Sequence, residues 1–186
     1  IFKQKDLGLD IVSVSPLAKA AKEAYPTLVE NYYRYNPVTN VVSSGDKHFK
    51  EDIAIGDTTL VSMYNFPLVY GNSKQAFINN NAAVITESFA VKLFGTKNAI
   101  GKPLSIQTTV AGIEDNYIVS AVLKDIPYNS VTGVIQGNYS VYIPTSGSRF
   151  FSGGDPSEGW DNLNELSFLK LKPGVDAKTV IPLLNG

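Results

Sequence analysis

The chain has no cysteine and only one histidine, one methionine and one tryptophan among its 186 residues. Without cysteine it forms neither a disulfide nor a thiolate metal site. Its 16 basic and 17 acidic side chains give a net charge of -1, so no basic field attracts nucleic acid or anionic lipid. No run approaches the roughly 20 apolar residues that span a bilayer, and no signal-peptide pattern is present.

Sequence motifs of the common enzyme chemistries are also missing. The chain has no G-x-S-x-G elbow and no G-x-x-x-x-G-K-[ST] phosphate loop. His48 lacks a second imidazole or a thiol at metal-ligand spacing, so we interpret it as a strand residue. Glu114 and Asp115 precede a strand and are predicted to lie in a solvated turn, and Asp125 is predicted to end its strand. We therefore predict no catalytic, cofactor-binding or metal-binding residues, and no cofactor.

Residues 83–106, AVITESFAVKLFGTKNAIGKPLSI, form the most ordered pattern in the chain. Thr86 is predicted to cap a helix with its hydroxyl, and Gly95 is predicted to end that helix in a left-handed conformation. Phe89, Leu93 and Phe94 recur at helical spacing, and we expect all three to be buried. Each of these residues has a packing or turn role, so the block indicates a fold and not a reaction.

Elsewhere, short strands alternate with helices in a pattern that predicts an α+β fold. One helix is predicted to be capped by Ser15 with Pro16 in its first turn. A last helix is predicted to be capped by Asp176 and to be kinked or ended by Pro182. The predicted strands are residues 10–14, 29–35, 38–43, 48–55, 82–85, 104–106, 117–124, 137–144 and 166–171. Because both chain ends offer a strand and a helix, we expect them to share one lobe.

Aromatic side chains suggest a surface for partners. Three tyrosines flank an arginine near residue 34, and three more aromatic residues lie in residues 146–161, which are rich in Gly, Ser and Asp and predicted to be a mobile loop. Exposed aromatic residues bind sugars or peptides and anchor interfaces. The alternative is that the tyrosines pack one face of a sheet. The candidate interaction surface consists of Tyr32, Tyr33, Arg34, Tyr35, Phe150, Phe151 and Trp160.

The block 83–106, together with YIVSAVLKDIP (residues 117–127), resembles the MacB-like periplasmic core domain of ABC-transporter permeases in the FtsX-like superfamily. The segments SVSPLAKAAKEAYP, NYYRYNP, GDKHF, MYNFPLVYGN and FLKLKPGVD support the resemblance. It implies a two-lobed α+β fold. A porter-like lobe would contain residues 1–72 and 147–186, and a smaller mixed α/β lobe, residues 73–146, would be inserted into it.

The resemblance also implies a function and a location. The chain would be the extracytoplasmic domain of a permease in the cytoplasmic (inner) membrane of a Gram-negative bacterium, on the periplasmic side. It would relay ATP-driven motion of membrane helices to substrate export or envelope partners. The implied partners are an ABC ATPase subunit, acting through the membrane part, and a periplasmic adaptor or substrate protein. Since the chain begins at Ile1 and not at methionine, we expect an excised fragment; ordinary processing is the other explanation for the missing methionine. The resemblance implies an isolated fragment that is monomeric and a full-length permease that is dimeric.

Two other classes of function stay open at this point. The chain could be an independent extracytoplasmic module that binds a glycan or a peptide through its tyrosines. An enzyme is the third class, and it has the least support because no chemically competent group of residues emerges from the sequence.

Overall fold

The structure, a computed structural model, describes residues 13–107, 113–127, 130, 139–149, 158–161 and 165–184. Its helices are α1 (Leu17–Ala24), α2 (Leu60–Tyr64), α3 (Glu87–Phe94) and α4 (Ala177–Val180). Its strands are β1 (Val29–Ser44), β2 (Lys47–Gly56), β3 (Leu68–Tyr70), β4 (Ala82–Thr86), β5 (Pro103–Gln107), β6 (Glu114–Leu123), β7 (Val141–Pro144) and β8 (Leu166–Leu171). This sheet-rich core with short helices confirms the predicted α+β class. No helix in the described residues is long and apolar enough to cross a membrane.

The chain divides into two units. The terminal unit contains Ile1–Asn36 and Asp155–Gly186, and the central unit contains Pro37–Gly154. This grouping differs from the predicted lobes in placing residues 37–72 and 147–154 with the middle of the chain. The reason is hydrogen bonding, since the second half of β1 pairs with β5 and β2 pairs with β7. The lobe boundaries at 72/73 and 146/147 stay a prediction.

The terminal unit is built on an antiparallel pair of strands from opposite ends of the chain. The first half of β1 pairs with β8, with Val29 opposite Leu171 and Tyr35 opposite Leu166. Ser13 forms an isolated bridge with Glu165, just before β8, and α1 packs against β8. Both ends of the described chain therefore belong to one unit, as the sequence pattern predicts.

The central unit contains six strands whose pairing closes into a ring. The order is β2-β7-β4-β6-β5-β1, and an additional pairing joins β1 back to β2. The β2–β7 and β4–β6 pairs are parallel, whereas the β4–β7, β5–β6 and β1–β5 pairs are antiparallel. β3 pairs with the last residues of β6.

Alternating residues of these strands form the core of the central unit together with α3. Because successive strand side chains point to opposite faces, alternate residues such as Ile53 and Ile55 face the same cluster, whereas every residue of β4 and β7 is buried. The buried cluster contains Val42, Ile53, Ile55, Ala83, Ile85, Phe89, Ala90, Leu93, Ala99, Leu104, Ile106, Tyr117, Val119, Val122, Val141 and Ile143.

Helix α3 begins and ends as its sequence predicts, but one of its aromatic residues is less buried than expected. The Thr86 hydroxyl accepts the Phe89 N–H at 3.4 Å, and Gly95 adopts a left-handed φ of 71°. Phe89 and Leu93 are buried as expected. The expected burial of Phe94 is wrong, since this last residue of the helix is only partly buried against the core. Its ring lies 5.7 Å from the Lys102 ammonium.

Two further expectations from the sequence need correction. The sequence predicts separate strands at residues 29–35 and 38–43, yet β1 runs unbroken through Pro37. Proline has no N–H to donate, and Pro37 lies between the residues that pair with β8 and those that pair with β5. In α1, the helix begins at Leu17 with Pro16 as its N-cap residue. Ser15 is therefore not the N-cap residue.

A close backbone approach at Gly147 gives a prediction about stability. Tyr117 donates its hydroxyl hydrogen to the Gly147 carbonyl at 3.1 Å, and a Cβ built on Gly147 would collide with the backbone carbonyl of Asn80. A backbone neighbour moves less easily than a flexible side chain. Gly147→Ala is therefore expected to lower the free energy of unfolding by about 1–3 kcal/mol, measured by urea denaturation. A loss below about 0.5 kcal/mol, the range of ordinary surface changes, would contradict this packing.

Candidate functional site

The structure separates the residues of the candidate interaction surface. Tyr33, Arg34 and Tyr35 are buried, and Tyr32 is half-buried. Trp160 is exposed, with 61% of its surface accessible. Phe150 and Phe151 lie outside the described residues, as does most of the predicted loop 146–161.

The buried tyrosines instead pack with one another. The Tyr33 and Tyr35 rings stack with their centroids 5.5 Å apart, and the Tyr35 ring stacks on Phe168 of β8 at 6.1 Å. This arrangement favours the alternative drawn from the sequence, in which the tyrosines pack one face of a sheet. Only Tyr32 and Trp160 of the proposed surface are accessible in the described part of the chain.

Arg34 is the centre of a charged cluster in the terminal unit. Its guanidinium, 3% exposed, donates to the Ser15 carbonyl at 2.9 Å and lies 3.9 Å from the Glu165 carboxylate, which is 1% exposed. Glu165 also accepts a hydrogen bond from the Asn36 amide at 3.1 Å. The Arg34 guanidinium lies 5.3 Å from the Tyr32 ring centroid, within range of a cation–π contact. The Glu165 carboxylate thus compensates the buried positive charge of Arg34.

A second carboxylate approaches the same cluster from the surface. Lys19 donates to both oxygens of Glu158 at 2.9 Å, and a Glu158 oxygen lies 4.0 Å from the Arg34 guanidinium. The hydrogen bond to Glu158 raises the pKa of the Lys19 ammonium. Sequence reasoning missed this cluster. Lys19 and Glu158 stand 139 positions apart, and no local pattern connects them.

Several titratable residues of the central unit have structural partners. One of them is Asp115, which is buried in β6 and does not lie in the solvated turn that the sequence predicts. The Arg149 guanidinium and its backbone N–H both donate to Asp115, at 2.5 and 2.8 Å. Asp125 accepts the Ser88 N–H at 3.1 Å, and His48 Nδ1 lies 2.8 Å from the Ser43 hydroxyl. Burial raises the pKa of the Tyr117 phenol, with a smaller contribution from Asp115. Within the described ranges, no group of three or more His, Cys, Asp or Glu side chains could hold a metal ion.

Comparison with known proteins identifies relatives. The family model described as the MacB-like periplasmic core domain matches residues 6–185. Among solved structures, a domain of a protein described as a permease from Porphyromonas gingivalis has a TM-score of 0.73 at 21% identity, covering 94% of this chain and 75% of that chain. A comparison with curated proteins finds no match.

Two more solved structures have a similar fold. The periplasmic region of MacB from Actinobacillus actinomycetemcomitans has a TM-score of 0.67 at 14% identity, covering 94% of this chain and 72% of that chain. The extracellular domain of the noncanonic ABC-type transporter YknZ, from Gram-positive bacteria, has a TM-score of 0.63 at 14% identity, covering 94% of this chain and 83% of that chain. At these identities the likeness is one of fold.

Proposed function

Because the chain belongs to the MacB-like periplasmic core domain family of ABC-transporter permeases, we propose that it relays ATP-driven motion of membrane helices to partners outside the membrane. The family match over residues 6–185 is the observation that carries this proposal. ATP is hydrolysed by the ATPase subunit that works with such permeases. The role proposed for this chain is mechanical. The motion that it passes on would drive substrate export or act on an envelope partner.

The packing of the terminal unit supports a mechanical role. Both ends of the described chain lie in that unit, where β1 pairs with β8. If the two ends continue into membrane helices, displacement of those helices enters the domain through this strand pair. β1 then continues into the central unit, where it pairs with β5. Packed strands transmit displacement because close-packed interiors have low compressibility.

The location and assembly follow from the same proposal. The domain would lie on the periplasmic side of the inner membrane of a Gram-negative bacterium. A full-length permease would form a dimer, whereas the isolated chain would be monomeric. An adaptor or substrate protein in the periplasm would be the partner that receives the motion.

The alternative of an independent glycan- or peptide-binding module has lost its main argument. That alternative rested on tyrosines available at the surface, and Tyr33 and Tyr35 are each only 1% exposed. We therefore keep the relay as the single proposed function.

Hydrogen exchange measured by mass spectrometry tests this coupling. In a full-length permease bound to its ATPase, adding ATP is expected to change the exchange of amides in β1 and β8, because the conformational change of the membrane part reaches them. The isolated chain is the control, and its exchange should not respond to ATP. Unchanged exchange of these strands in the ATP-bound complex would contradict the relay.

A further inference from the structure

Glu158 differs from the other carboxylate of the Arg34 cluster in how firmly it is held. The Glu158 side chain is 53% exposed, and its direct hydrogen bonds come from Lys19, itself 37% exposed. Its 4.0 Å separation from Arg34 is an electrostatic contact and not a hydrogen bond. Exposed ion pairs contribute little to stability, because water competes for both partners. Glu158 can therefore leave Lys19 and Arg34 at a low cost in free energy.

Departure of Glu158 leaves the buried arginine compensated. Arg34 keeps the Ser15 carbonyl at 2.9 Å and the Glu165 carboxylate at 3.9 Å. Breaking such a cluster usually lowers stability because a buried charge loses its counter-charge, and Arg34 keeps the counter-charge of Glu165. Departure of Glu158 removes one negative charge from beside Lys19 and Arg34, and this change favours a replacement anion.

We propose that Lys19 and Arg34 form a carboxylate-binding site that Glu158 occupies in the free chain and that an acidic segment of a partner protein takes over. The chemistry of the ligand is given by the group already present, a carboxylate that accepts two hydrogen bonds from Lys19 and faces Arg34. Tyr32 lies against the Arg34 guanidinium and helps to fix its position. This inference goes beyond the relay and does not depend on it.

The first test measures binding of a fluorescein-labelled hexaglutamate peptide by anisotropy at low salt, where screening is weak. Glu158→Gln keeps the shape of the side chain but removes its charge, so the site is no longer occupied internally. We expect this variant to bind the peptide about five- to tenfold more tightly than the wild type, since self-occupation lowers the apparent affinity by the occupied fraction. Adding Lys19→Gln to this variant should abolish the gain.

Glu114→Gln is the control for net charge. Glu114 is an exposed residue at the start of β6 in the central unit, and its substitution changes the net charge by the same amount. The affinity of this variant for the peptide should stay within about twofold of the wild type, because Glu114 does not lie in the proposed carboxylate-binding site. Equal tightening by Glu114→Gln and Glu158→Gln, or no tightening by Glu158→Gln, would overturn the proposal.

A second test uses the unaltered chain, so it holds even if Glu158→Gln fails to fold. Trp160 is the only tryptophan in the sequence and lies two residues from Glu158. Displacement of Glu158 by hexaglutamate should therefore change the fluorescence of this single exposed indole, whereas hexaglutamine should not. Trp160 emission that stays constant at saturating hexaglutamate would overturn the proposal.

Discussion

Replacing Phe89 with alanine is expected to lower the free energy of unfolding by about 3–5 kcal/mol. The Phe89 side chain is 2% exposed and packs in the core of the central unit with Leu93 and the alternating strand residues. The substitution removes its contacts and leaves a cavity that the surrounding strands fill only in part. The loss should appear as a lower midpoint in urea denaturation with an unchanged slope.

Val91 provides the matched control on the same helix. Its side chain is 44% exposed, so Val91→Ala should change the free energy of unfolding by less than about 1 kcal/mol. Phe94→Ala should fall between the two, because Phe94 is only partly buried. If Phe89→Ala cost no more than Val91→Ala, the assignment of this face of α3 to the core would be wrong.

Removing Glu165 should have a similarly large effect for an electrostatic reason. Glu165→Leu leaves the buried Arg34 guanidinium without its buried carboxylate, and breaking a buried pair from one side costs about 3–5 kcal/mol. The exposed Glu158 lies at nearly the same distance from Arg34, 4.0 Å against 3.9 Å for Glu165, but it compensates only weakly because it is open to water. Chemical denaturation of the isolated chain measures the loss.

A double-mutant cycle separates the charge pair from simple packing. Arg34→Met combined with Glu165→Leu should be clearly more stable than the sum of the two single losses predicts, because no charge stays buried alone. Lys170→Ala is the control. It breaks an exposed ion pair with Glu30, 2.7 Å long, and should cost less than about 1 kcal/mol. Strict additivity of the Arg34 and Glu165 changes would contradict the pairing.

Local features of the fold were predictable because their causes are local. Thr86 caps α3 and Gly95 ends it, since a hydroxyl and a left-handed glycine serve those positions directly. Asp176 caps α4 by accepting the Lys178 N–H at 2.9 Å. Gly174 turns the chain after β8 with a φ of 82°. Each of these contacts spans only a few residues, so the sequence pattern contains the needed information.

Features that depend on distant partners were not predictable from a single sequence. The tyrosines near residue 34 look alike in the sequence, yet burial of Tyr33 and Tyr35 depends on what covers their face of the sheet. Arg34 is buried because Glu165 and Ser15 lie beside it. Phe94 has the helical spacing of a core residue, but it is the last residue of α3 and only part of its ring contacts the core.

If this domain relays ATP-driven motion, it must move when the permease binds ATP, and a distance measured between spin labels on the domain detects that movement. This chain has no cysteine, so a cysteine placed at the exposed Glu23 of α1 labels it at one position. Pulsed electron paramagnetic resonance on a full-length permease, otherwise free of cysteine and bound to its ATPase, reports the distance between the labels of its two copies. We predict that the distance distribution shifts when ATP binds and returns after hydrolysis. Identical distributions with and without ATP would contradict the relay.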